Sequence, residues 1–316
     1  MSSKQVVFID SVHPILEQKL TQAGMKCLDH TKTNFENLLP DLNNAYGIVI
    51  RSRFTIDAQF LANCQNLKFI ARSGSGLENI DTKICKELGI RIYNSPEGNR
   101  NAVAEHALGM LLSLFHKIQK ANKEVSNGLW LREQNRGEEL DGKVVGIIGF
   151  GNNGSAFAKK LRGFDVRVLA YDKYKTGFGD HFVQECTLNA ILEQADVLSF
   201  HIPQNKETRY LFNQEFVAKM HKSFYLLNLS RGKIVETEAL VEGLKTGKIK
   251  GAGLDVLEYE SKSFEAFFEQ ELPESFSYLI NADNVVLTPH VGGWTSESYI
   301  KLSDVLAEKI LADEIN

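Results

Sequence analysis

The sequence predicts an α/β protein with two lobes, each built on a doubly wound parallel sheet. Short apolar runs alternate with amphipathic stretches along the chain, a rhythm that is typical of strands and covering helices. The chain has 316 residues, and single cores stop growing at about 250 to 300 residues. We therefore expect two domains.

One stretch, residues 143–172, predicts a dinucleotide-binding unit. Its apolar run Val144–Ile148 is too short for a helix and ends in glycine, which favours a buried parallel strand. Gly149, Gly151 and Gly154 then follow the spacing GxGxxG. Such glycines permit a tight turn, close approach of a pyrophosphate to the backbone, and close packing of helix on strand. Asp172 ends the next predicted strand, 18 residues past Gly154, near the distance of about 20 for a ribose-binding acid.

The first hundred residues contain the strands of the first predicted lobe. We expect a helix over 14–23 and strands over VVFI from Val6, GIVI at 47–50, LKFIA at 67–71 and IRIY at 90–93. Two loops directly follow two of these strands: Arg51-Ser52-Arg53 after GIVI, and residues 72–76 after LKFIA. Ligands of open α/β sheets bind beyond the carboxyl ends of strands.

Both loops have an ordinary alternative explanation. The two arginines, Arg51 and Arg53, are equally consistent with a solvated surface pair. The run Gly74-Ser75-Gly76 is consistent with a plain tight turn or with backbone N–H groups offered to an anion.

The middle of the chain indicates a boundary and a long helix. Residues 94–100, NSPEGNR, are rich in turn formers, so we expect a crossover with a boundary near 98–101. A helical pattern runs from Ala102 to about Lys123. The polar segment 122–141 carries Leu129, Trp130 and Leu131 and predicts either a loop that packs its own tryptophan or a subunit-contact arm.

Beyond Asp172 the βα alternation continues into a six-stranded second sheet. The expected strands after Val144–Ile148 are 166–171, 197–202, 224–230, 251–256 and 285–287. Expected helices cover 187–194, 213–220 and 236–245, and a last helix over 296–312 returns the chain to the first lobe.

Several strand ends in this second half carry residues suited to catalysis. Arg231 follows LLNLS, Asp255 ends GAGLD, Glu260 lies five residues later, and His290 lies in TPHVGG. Singly, these residues are consistent with a surface ion pair, a solvated acid or a loop histidine. Together an arginine, an acid and a histidine supply an anion clamp, an orienting carboxylate and a general acid/base, as hydride transfer to a 2-oxo acid requires.

Five motifs resemble those of the D-isomer-specific 2-hydroxyacid dehydrogenases, in the same order and across essentially the whole chain: GFGNNG, HIP, NLSRG, GAGLDVLEYE and TPHVGG. The resemblance implies an NAD-dependent oxidoreductase in which Arg231 clamps the substrate, Glu260 partners the histidine and His290 is the acid/base. It also implies a set of cofactor-binding residues, namely Gly149, Gly151, Asn152, Asn153, Gly154, Asp172, His201, Pro203 and Asp255. The implied substrate-binding set is Arg51, Ser52, Ser73, Gly74, Ser75, Gly76, Arg231 and His290.

The resemblance further implies the domain arrangement. A Rossmann NAD-binding domain, 99–288, is expected to be inserted in a flavodoxin-like substrate domain, 1–98 and 289–316. A homodimer is expected through the NAD-binding domain, around residues 101–141.

The sequence departs from the family pattern at three positions. Asn153 replaces a usual apolar residue, Ser261 replaces the proline that usually follows the catalytic glutamate, and Trp294 replaces a small residue. The interval between Glu260 and His290 is also longer than usual, with a Phe-rich stretch within 261–283 whose role the sequence does not reveal.

Composition excludes several classes of function. A formal charge of -4 and a pI near 6.1 give no basic footprint for nucleic acid. Four scattered cysteines favour free thiols over disulfides or a zinc site, and we expect no metal. No apolar run approaches the roughly 18 residues of a membrane span and the start lacks a signal-peptide core, so we expect a cytoplasmic protein.

Among such dehydrogenases, the Arg51-Ser52-Arg53 loop resembles that of phosphoglycerate dehydrogenases, and we expect a member that lacks their C-terminal regulatory domain. Two guanidinium groups would suit a phosphate. The expected reaction is oxidation of 3-phospho-D-glycerate, the first step of serine biosynthesis. The alternatives are glyoxylate or hydroxypyruvate reduction and an NAD-sensing scaffold resembling the C-terminal-binding corepressors. Neither the physiological substrate nor the direction of flux is evident from the sequence.

Overall fold

The computed structural model describes residues 4–260 and 273–315. By the proximity of Cα atoms these residues divide into two compact units. The first unit comprises 4–99 and 294–315, and the second comprises 100–260 and 273–293. The sequence placed the second division at 288/289. In the structure the loop around His290 stays with the second unit, because Asp255 binds that loop.

The first unit contains a five-stranded, all-parallel sheet in the order β2-β1-β3-β4-β5. The strands are β1 (Gln5–Phe8), β2 (Lys26–Asp29), β3 (Gly47–Ile50), β4 (Phe69–Arg72) and β5 (Arg91–Asn94). This order is the flavodoxin-like one, so that expectation is confirmed. The sequence did not predict β2, because this edge strand begins with an exposed lysine and ends with an exposed aspartate.

Helices cover both faces of the first sheet. They are α1 (Ile15–Gln22), α2 (Phe35–Asn44), α3 (Ala58–Leu61), α4 (Thr82–Glu87) and, numbered along the whole chain, α12 (Ser296–Ile315). Alternate strand residues enter opposite cores. Val7 and Ile48 pack in one core, whereas Val6 and Val49 pack in the other, where α12 contributes Ile310. The C-terminal helix thus belongs to the first unit, as predicted.

The second unit contains a seven-stranded, all-parallel sheet in the order β12-β11-β10-β9-β6-β7-β8. The strands are β6 (Val144–Ile148), β7 (Arg167–Tyr171), β8 (Val183–Glu185), β9 (Val197–Phe200), β10 (Phe224–Asn228), β11 (Ile249–Leu254) and β12 (Val285–Leu287). The prediction of six strands was wrong, because it missed β8. This strand has three residues, too few to show an alternation of apolar and polar positions.

Five helices of the second unit each bury one face against this sheet. They are α7 (Asn152–Leu161), α8 (Leu188–Gln194), α9 (Gln214–Lys219), α10 (Thr237–Lys245) and α11 (Glu274–Asn281). Helix α11 occupies part of the Phe-rich stretch, with Phe276 and Leu279 buried. The remainder of that stretch and the Ser261 position lie outside the described residues. Within the described residues, no helix is long and apolar enough to cross a membrane.

The long helix predicted over 102–123 is wrong at both ends. Helix α5 (Pro96–Phe115) begins six residues earlier, inside the stretch expected to be a crossover. Proline is favoured at the first position of a helix, where its missing N–H costs nothing. The helix stops because Lys117 adopts a left-handed backbone conformation with φ of 51°, and α6 (Ile118–Ser126) starts after it.

Candidate active site

The glycine turn after β6 has the geometry that the sequence predicted. Gly149 adopts φ of 93°, and a Cβ there would lie 2.5 Å from the His201 carbonyl oxygen. A Cβ at Gly154 would overlap the Gly149 carbonyl oxygen, whereas a Cβ at Gly151 would meet no described atom within 4 Å. Two of the glycines therefore allow close packing, and the third leaves bare backbone facing open space.

This turn fits a dinucleotide. Helix α7 begins at Asn152 with Gly151 as its N-cap, so its first N–H groups face the same open space. Asn153, the residue that departs from the family pattern, has a buried Oδ1 with no hydrogen-bond partner among the described residues. A nicotinamide cofactor held by the glycine turn and the start of α7 would supply hydride transfer.

Asp172 directly follows β7, the strand beside β6, and its carboxylate is fixed by hydrogen bonds. Its Oδ2 accepts from the Phe150 N–H at 2.8 Å, and its Oδ1 accepts from the Tyr174 and Lys175 N–H groups at 2.9 and 3.1 Å. The Lys173 ammonium is paired with Glu207 at 2.7 Å. The carboxylate beside the glycine turn is thus fixed in position, and the charge of the adjacent lysine is largely balanced.

His201 and Pro203, implied as cofactor ligands, follow β9. The His201 Nε2 hydrogen-bonds the Ser199 hydroxyl at 2.8 Å, and its ring packs against Phe157 with centroids 5.5 Å apart. Its Nδ1 is buried and has no hydrogen-bond partner among the described residues. Burial lowers the pKa of this imidazole to about 4. Pro203 accepts from the Thr208 hydroxyl through its carbonyl at 2.7 Å. Cofactor binding by either residue stays a prediction.

The acid and the histidine predicted from the strand ends meet. His290 Nδ1 lies 2.7 Å from Glu260 Oε2, and the side chains are 25% and 16% exposed. The other oxygen of Glu260 accepts from the Leu257 N–H, so the carboxylate is anchored on its own loop. The sequence left the placement of Glu260 in question because the following segment is long. In the structure its carboxylate directly contacts Nδ1 of the imidazole.

The Asp255 carboxylate binds the loop that carries His290. Its side chain is 3% exposed, and its carboxylate accepts from the Thr288 hydroxyl at 2.6 Å and from the Val291 and Gly292 N–H groups at 2.9 and 2.8 Å. Both oxygens are therefore engaged by residues 288–292. A contact with the nicotinamide side, as the resemblance implied, stays a prediction.

Arg231 follows β10 in an extended backbone conformation. Its guanidinium donates to the Ser230 carbonyl at 2.6 Å, and its own carbonyl accepts from the Asn228 amide at 3.0 Å. A Cβ on Gly232 would overlap the Leu257 carbonyl oxygen. The Arg231 loop is therefore packed directly on the loop that leads to Glu260.

In the first unit, the Arg51-Ser52-Arg53 loop is built around a single carboxylate. One oxygen of Asp10 accepts from the N–H groups of all three residues, at 2.6, 3.0 and 3.2 Å. The two arginines then differ. Arg53 donates to the carbonyls of four residues, Ile9, His30, Thr31 and Thr33. Arg51 stacks over the Trp294 ring, 4.2 Å from its centroid. Two of the three Arg53 guanidinium nitrogens thus donate to carbonyl groups of the protein, and the expectation that both guanidinium groups suit a phosphate stays a prediction.

The second loop of the first unit, Ser73 to Gly76, is also held through hydrogen bonds. Ser75 donates its hydroxyl to Asn99 at 2.8 Å, and its carbonyl accepts from the Asn94 amide at 2.7 Å. Ser73 N–H reaches the Ile50 carbonyl at 2.9 Å. Gly74 has φ of 153°, and a Cβ there would overlap the Arg72 guanidinium. The loop is thus a fixed turn with its backbone at the end of β4.

Two residues of these sites were missed. Asp10 directly follows the VVFI run, so the strand-end argument applied to Arg51 would have found it. His106, whose Nε2 lies 2.9 Å from the Thr288 hydroxyl oxygen, gives no such signal, because it lies inside a helical pattern.

The buried histidine predicts a specific loss of stability in acid. Its folded-state pKa of about 4 lies below the unfolded value near 6.5, so protonation favours the unfolded chain. The stabilisation is fully present above pH 6.5 and falls toward pH 4, by up to about 1.4 kcal/mol per pH unit. Urea unfolding between pH 5 and 6.5 should show a shallower pH dependence for His201→Leu than for the parent. The exposed His116→Leu is the control, and equal slopes for all three proteins would contradict the assignment.

Comparison with known proteins agrees with this geometry. Residues 108–292 match the family model for the D-isomer specific 2-hydroxyacid dehydrogenase, NAD binding domain. A hydroxypyruvate reductase of Thermotoga maritima is 36% identical, over 89% of this chain and 88% of the relative. A D-3-phosphoglycerate dehydrogenase of Archaeoglobus fulgidus is 34% identical over 94% of this chain, which spans 55% of that relative.

Solved structures give the same result. The crystal structure of D-lactate dehydrogenase from Aquifex aeolicus, complexed with NAD and lactic acid, superposes with a TM-score of 0.82. It is 27% identical, and the match covers 98% of this chain and 95% of that one. Together with the glycine turn and the strand-end residues, these matches show that the chain belongs to the D-isomer specific 2-hydroxyacid dehydrogenases, which are NAD-dependent oxidoreductases.

Proposed function

We propose that His290 is the general acid/base of this dehydrogenase, that Glu260 orients it, and that Arg231 binds the carboxylate and carbonyl of the substrate. The observation that carries the proposal is the 2.7 Å contact between His290 Nδ1 and Glu260. The Glu260 carboxylate keeps a proton on Nδ1, so that Nε2 takes the hydroxyl proton during oxidation and, from the imidazolium, returns it to the alkoxide during reduction. A guanidinium binds a carboxylate in a bidentate geometry that aligns the carbonyl for attack.

Removing the imidazole should affect chemistry far more than cofactor binding. General acid/base catalysis contributes about 10²- to 10⁴-fold, so His290→Ala should lower kcat by at least about 100-fold. NADH affinity, measured by fluorescence titration, should stay nearly unchanged. Glu260→Gln should lower kcat by less, because the proton donor remains. His116→Ala serves as the control, and a His290→Ala enzyme that keeps more than a tenth of parental kcat would exclude the mechanism.

We expect NAD to be preferred over NADP, because the Asp172 carboxylate is fixed by three backbone N–H groups and repels a 2′-phosphate. The Lys173 charge, balanced by Glu207, offsets little of that repulsion. Asp172→Asn should lower the ratio of kcat/KM for NADH over NADPH by roughly 10-fold or more. Asp141→Asn, an exposed carboxylate before the amino end of β6, is the control. A parent enzyme that is faster with NADPH would refute the assignment.

The proposed substrate is 3-phospho-D-glycerate, which is oxidised to 3-phosphonooxypyruvate. The position of Arg51 supports this substrate. The residue directly follows β3, and its backbone N–H donates to the Asp10 carboxylate. The Arg51 guanidinium stacks on the Trp294 ring, and a stacked guanidinium binds phosphate oxygens through the donors that lie in its own plane. Several relatives of this chain carry the name D-3-phosphoglycerate dehydrogenase.

A second candidate is reduction of hydroxypyruvate or glyoxylate. The observation that favours it is the engagement of Arg53 by four carbonyls, because a phosphate bound by both guanidinium groups would compete with those bonds. Other relatives carry the names hydroxypyruvate reductase and glyoxylate reductase.

Substrate comparison separates the two candidates. If Arg51 binds a phosphate, Arg51→Met should lower kcat/KM for phosphonooxypyruvate by roughly 10- to 100-fold, since one charge-assisted contact is lost. Glyoxylate has no phosphate for Arg51 to bind, so its kcat/KM should change little. Arg51→Lys should recover part of the loss, because it restores charge without the fork. Equal losses for both substrates, or a parent that prefers hydroxypyruvate, would favour the second candidate.

We also propose that the protein is a homodimer formed through the second unit. The segment after α5 exposes four large apolar side chains: Ile118 at 54%, Val125 at 52%, Leu129 at 48% and Trp130 at 77%. A loop that packed its own tryptophan would bury it, so of the two sequence interpretations the contact arm is favoured. Grouped exposed apolar residues are typical of protein interfaces.

Charges placed in this arm should separate the subunits. Leu129→Asp combined with Trp130→Asp should shift the mass measured by light scattering from dimer to monomer, because a buried unpaired carboxylate is costly. Leu88→Asp, at a leucine of the first unit that is 59% exposed, should leave the mass unchanged. A parent protein that is monomeric at micromolar concentration would refute the proposal.

A further inference from the structure

A second histidine lies behind the loop that carries His290. His106, on α5, places Nε2 at 2.9 Å from the Thr288 hydroxyl oxygen, and that hydroxyl lies 2.6 Å from Asp255 Oδ1. His106 Nε2 is 3.6 Å from the same carboxylate oxygen, with the hydroxyl bridging the two groups. The result is a three-residue chain of hydrogen bonds, His106 to Thr288 to Asp255, within the second unit.

The direction of this chain follows from counting protons. A threonine hydroxyl has one proton, and Thr288 donates it to the Asp255 carboxylate, which can only accept. The contact between His106 and Thr288 therefore requires the proton on His106 Nε2. Donation from the imidazole polarises the hydroxyl and strengthens its bond to Asp255, as in other cooperative hydrogen-bond chains.

Asp255 connects the hydrogen-bond chain from His106 to the loop that carries His290. Its carboxylate binds the N–H groups of Val291 and Gly292, and its backbone carbonyl accepts from the His290 N–H at 2.8 Å. His290 itself adopts a left-handed backbone conformation with φ of 55°, which is unfavourable for a non-glycine residue unless its surroundings impose it. The bonds to Asp255 are the surroundings that impose it.

Packing connects His106 to the same loop. A Cβ on Gly292 would lie 2.8 Å from Asp255 Oδ2 and 3.4 Å from His106 Cδ2, so the imidazole lies directly behind the loop backbone. His106 is thus in contact with the far side of the 290–292 segment and also supplies the first hydrogen bond of the chain that anchors it.

We propose that His106 is a positioning residue for His290. It acts through Thr288 and Asp255, holding the 290–292 backbone so that the His290 ring meets Glu260. The consequence for the reaction rests on the proposed role of His290, whereas the consequence for the loop does not. A misplacement of about 1 Å can cost about 100-fold in rate, so the loss of this chain should lower kcat without changing the cofactor site.

Matched variants test the hydrogen bond itself. Gln can place an amide N–H where the His106 Nε2–H lies, whereas Leu cannot. His106→Leu and Thr288→Val should each lower kcat by roughly 10-fold or more, with the NADH Kd within about twofold of the parent. His106→Gln and Thr288→Ser should recover most of the activity. Equal losses in the Leu and Gln variants, or a parental kcat in His106→Leu, would overturn the proposal.

Hydrogen exchange gives a readout independent of catalysis. In His106→Leu the amides of Val291 and Gly292 should exchange roughly tenfold faster, since their bonds to Asp255 weaken, whereas His106→Gln should match the parent. Unchanged exchange in His106→Leu would overturn the inference even if activity fell. His290→Ala measured alongside separates the two hypotheses: if it stays active, the acid/base assignment fails, while the exchange result still decides the role of His106.

Discussion

The Asp255 carboxylate is the group on which the arrangement of the second unit's site depends. It is nearly fully buried at the end of β11, and a charged group in such a place must be compensated by hydrogen bonds. The chain meets this requirement by wrapping residues 288–292 around it, with two backbone N–H groups and one hydroxyl. These bonds hold the loop in the conformation in which His290 contacts Glu260. The geometry of the His290–Glu260 pair therefore depends on the hydrogen bonds that the buried Asp255 carboxylate requires.

The parallel sheet places the remaining groups. All seven strands of the second unit run in the same direction, so the turn after β6 and the loops after β7, β10 and β11 emerge at one edge. The chain runs from β6 outward to β8 and then returns to β9 on the other side of β6. The glycine turn lies at this switch in strand order, where the loops on either side separate and leave a crevice for a ligand.

The first unit shows the same rule with different residues. Its switch in strand order lies between β1 and β3, where Asp10 ends one strand and the Arg51 loop ends the other. Asp10 binds the loop backbone and Arg53 binds surrounding carbonyls, so both charges are used to build the turn. Arg51 stacks on the Trp294 ring at 4.2 Å from its centroid, and the Arg53 guanidinium also lies over an aromatic ring, Phe54, at 5.0 Å. The two neighbouring arginines thus differ in their hydrogen-bond partners and in the rings on which they stack.

The parts of the fold that were readable from the sequence are those with local signals. The limits of β3, β6 and β12 agree with their apolar runs, because a strand buried on both faces is apolar at every position. The glycine spacing and the strand-end positions of Arg231, Asp255 and His290 were also readable, since they follow from the order of residues along one strand and its turn. Strands β2 and β8 were not, because short edge strands lack a continuous apolar run.

Partnerships between distant residues were decided only by the tertiary structure. Sequence alone determined that an acid and a histidine lie near strand ends, but not that Glu260 touches His290 across 30 positions. It determined that two arginines follow β3, but the carbonyls that engage Arg53 come from separate loops 20 to 44 positions away. His106 lies 182 positions from Thr288 and gave no local signal. The reason is physical: propensity and periodicity act over a few neighbouring residues, whereas a buried polar group takes whichever partner the packed sheets and helices bring within hydrogen-bonding distance.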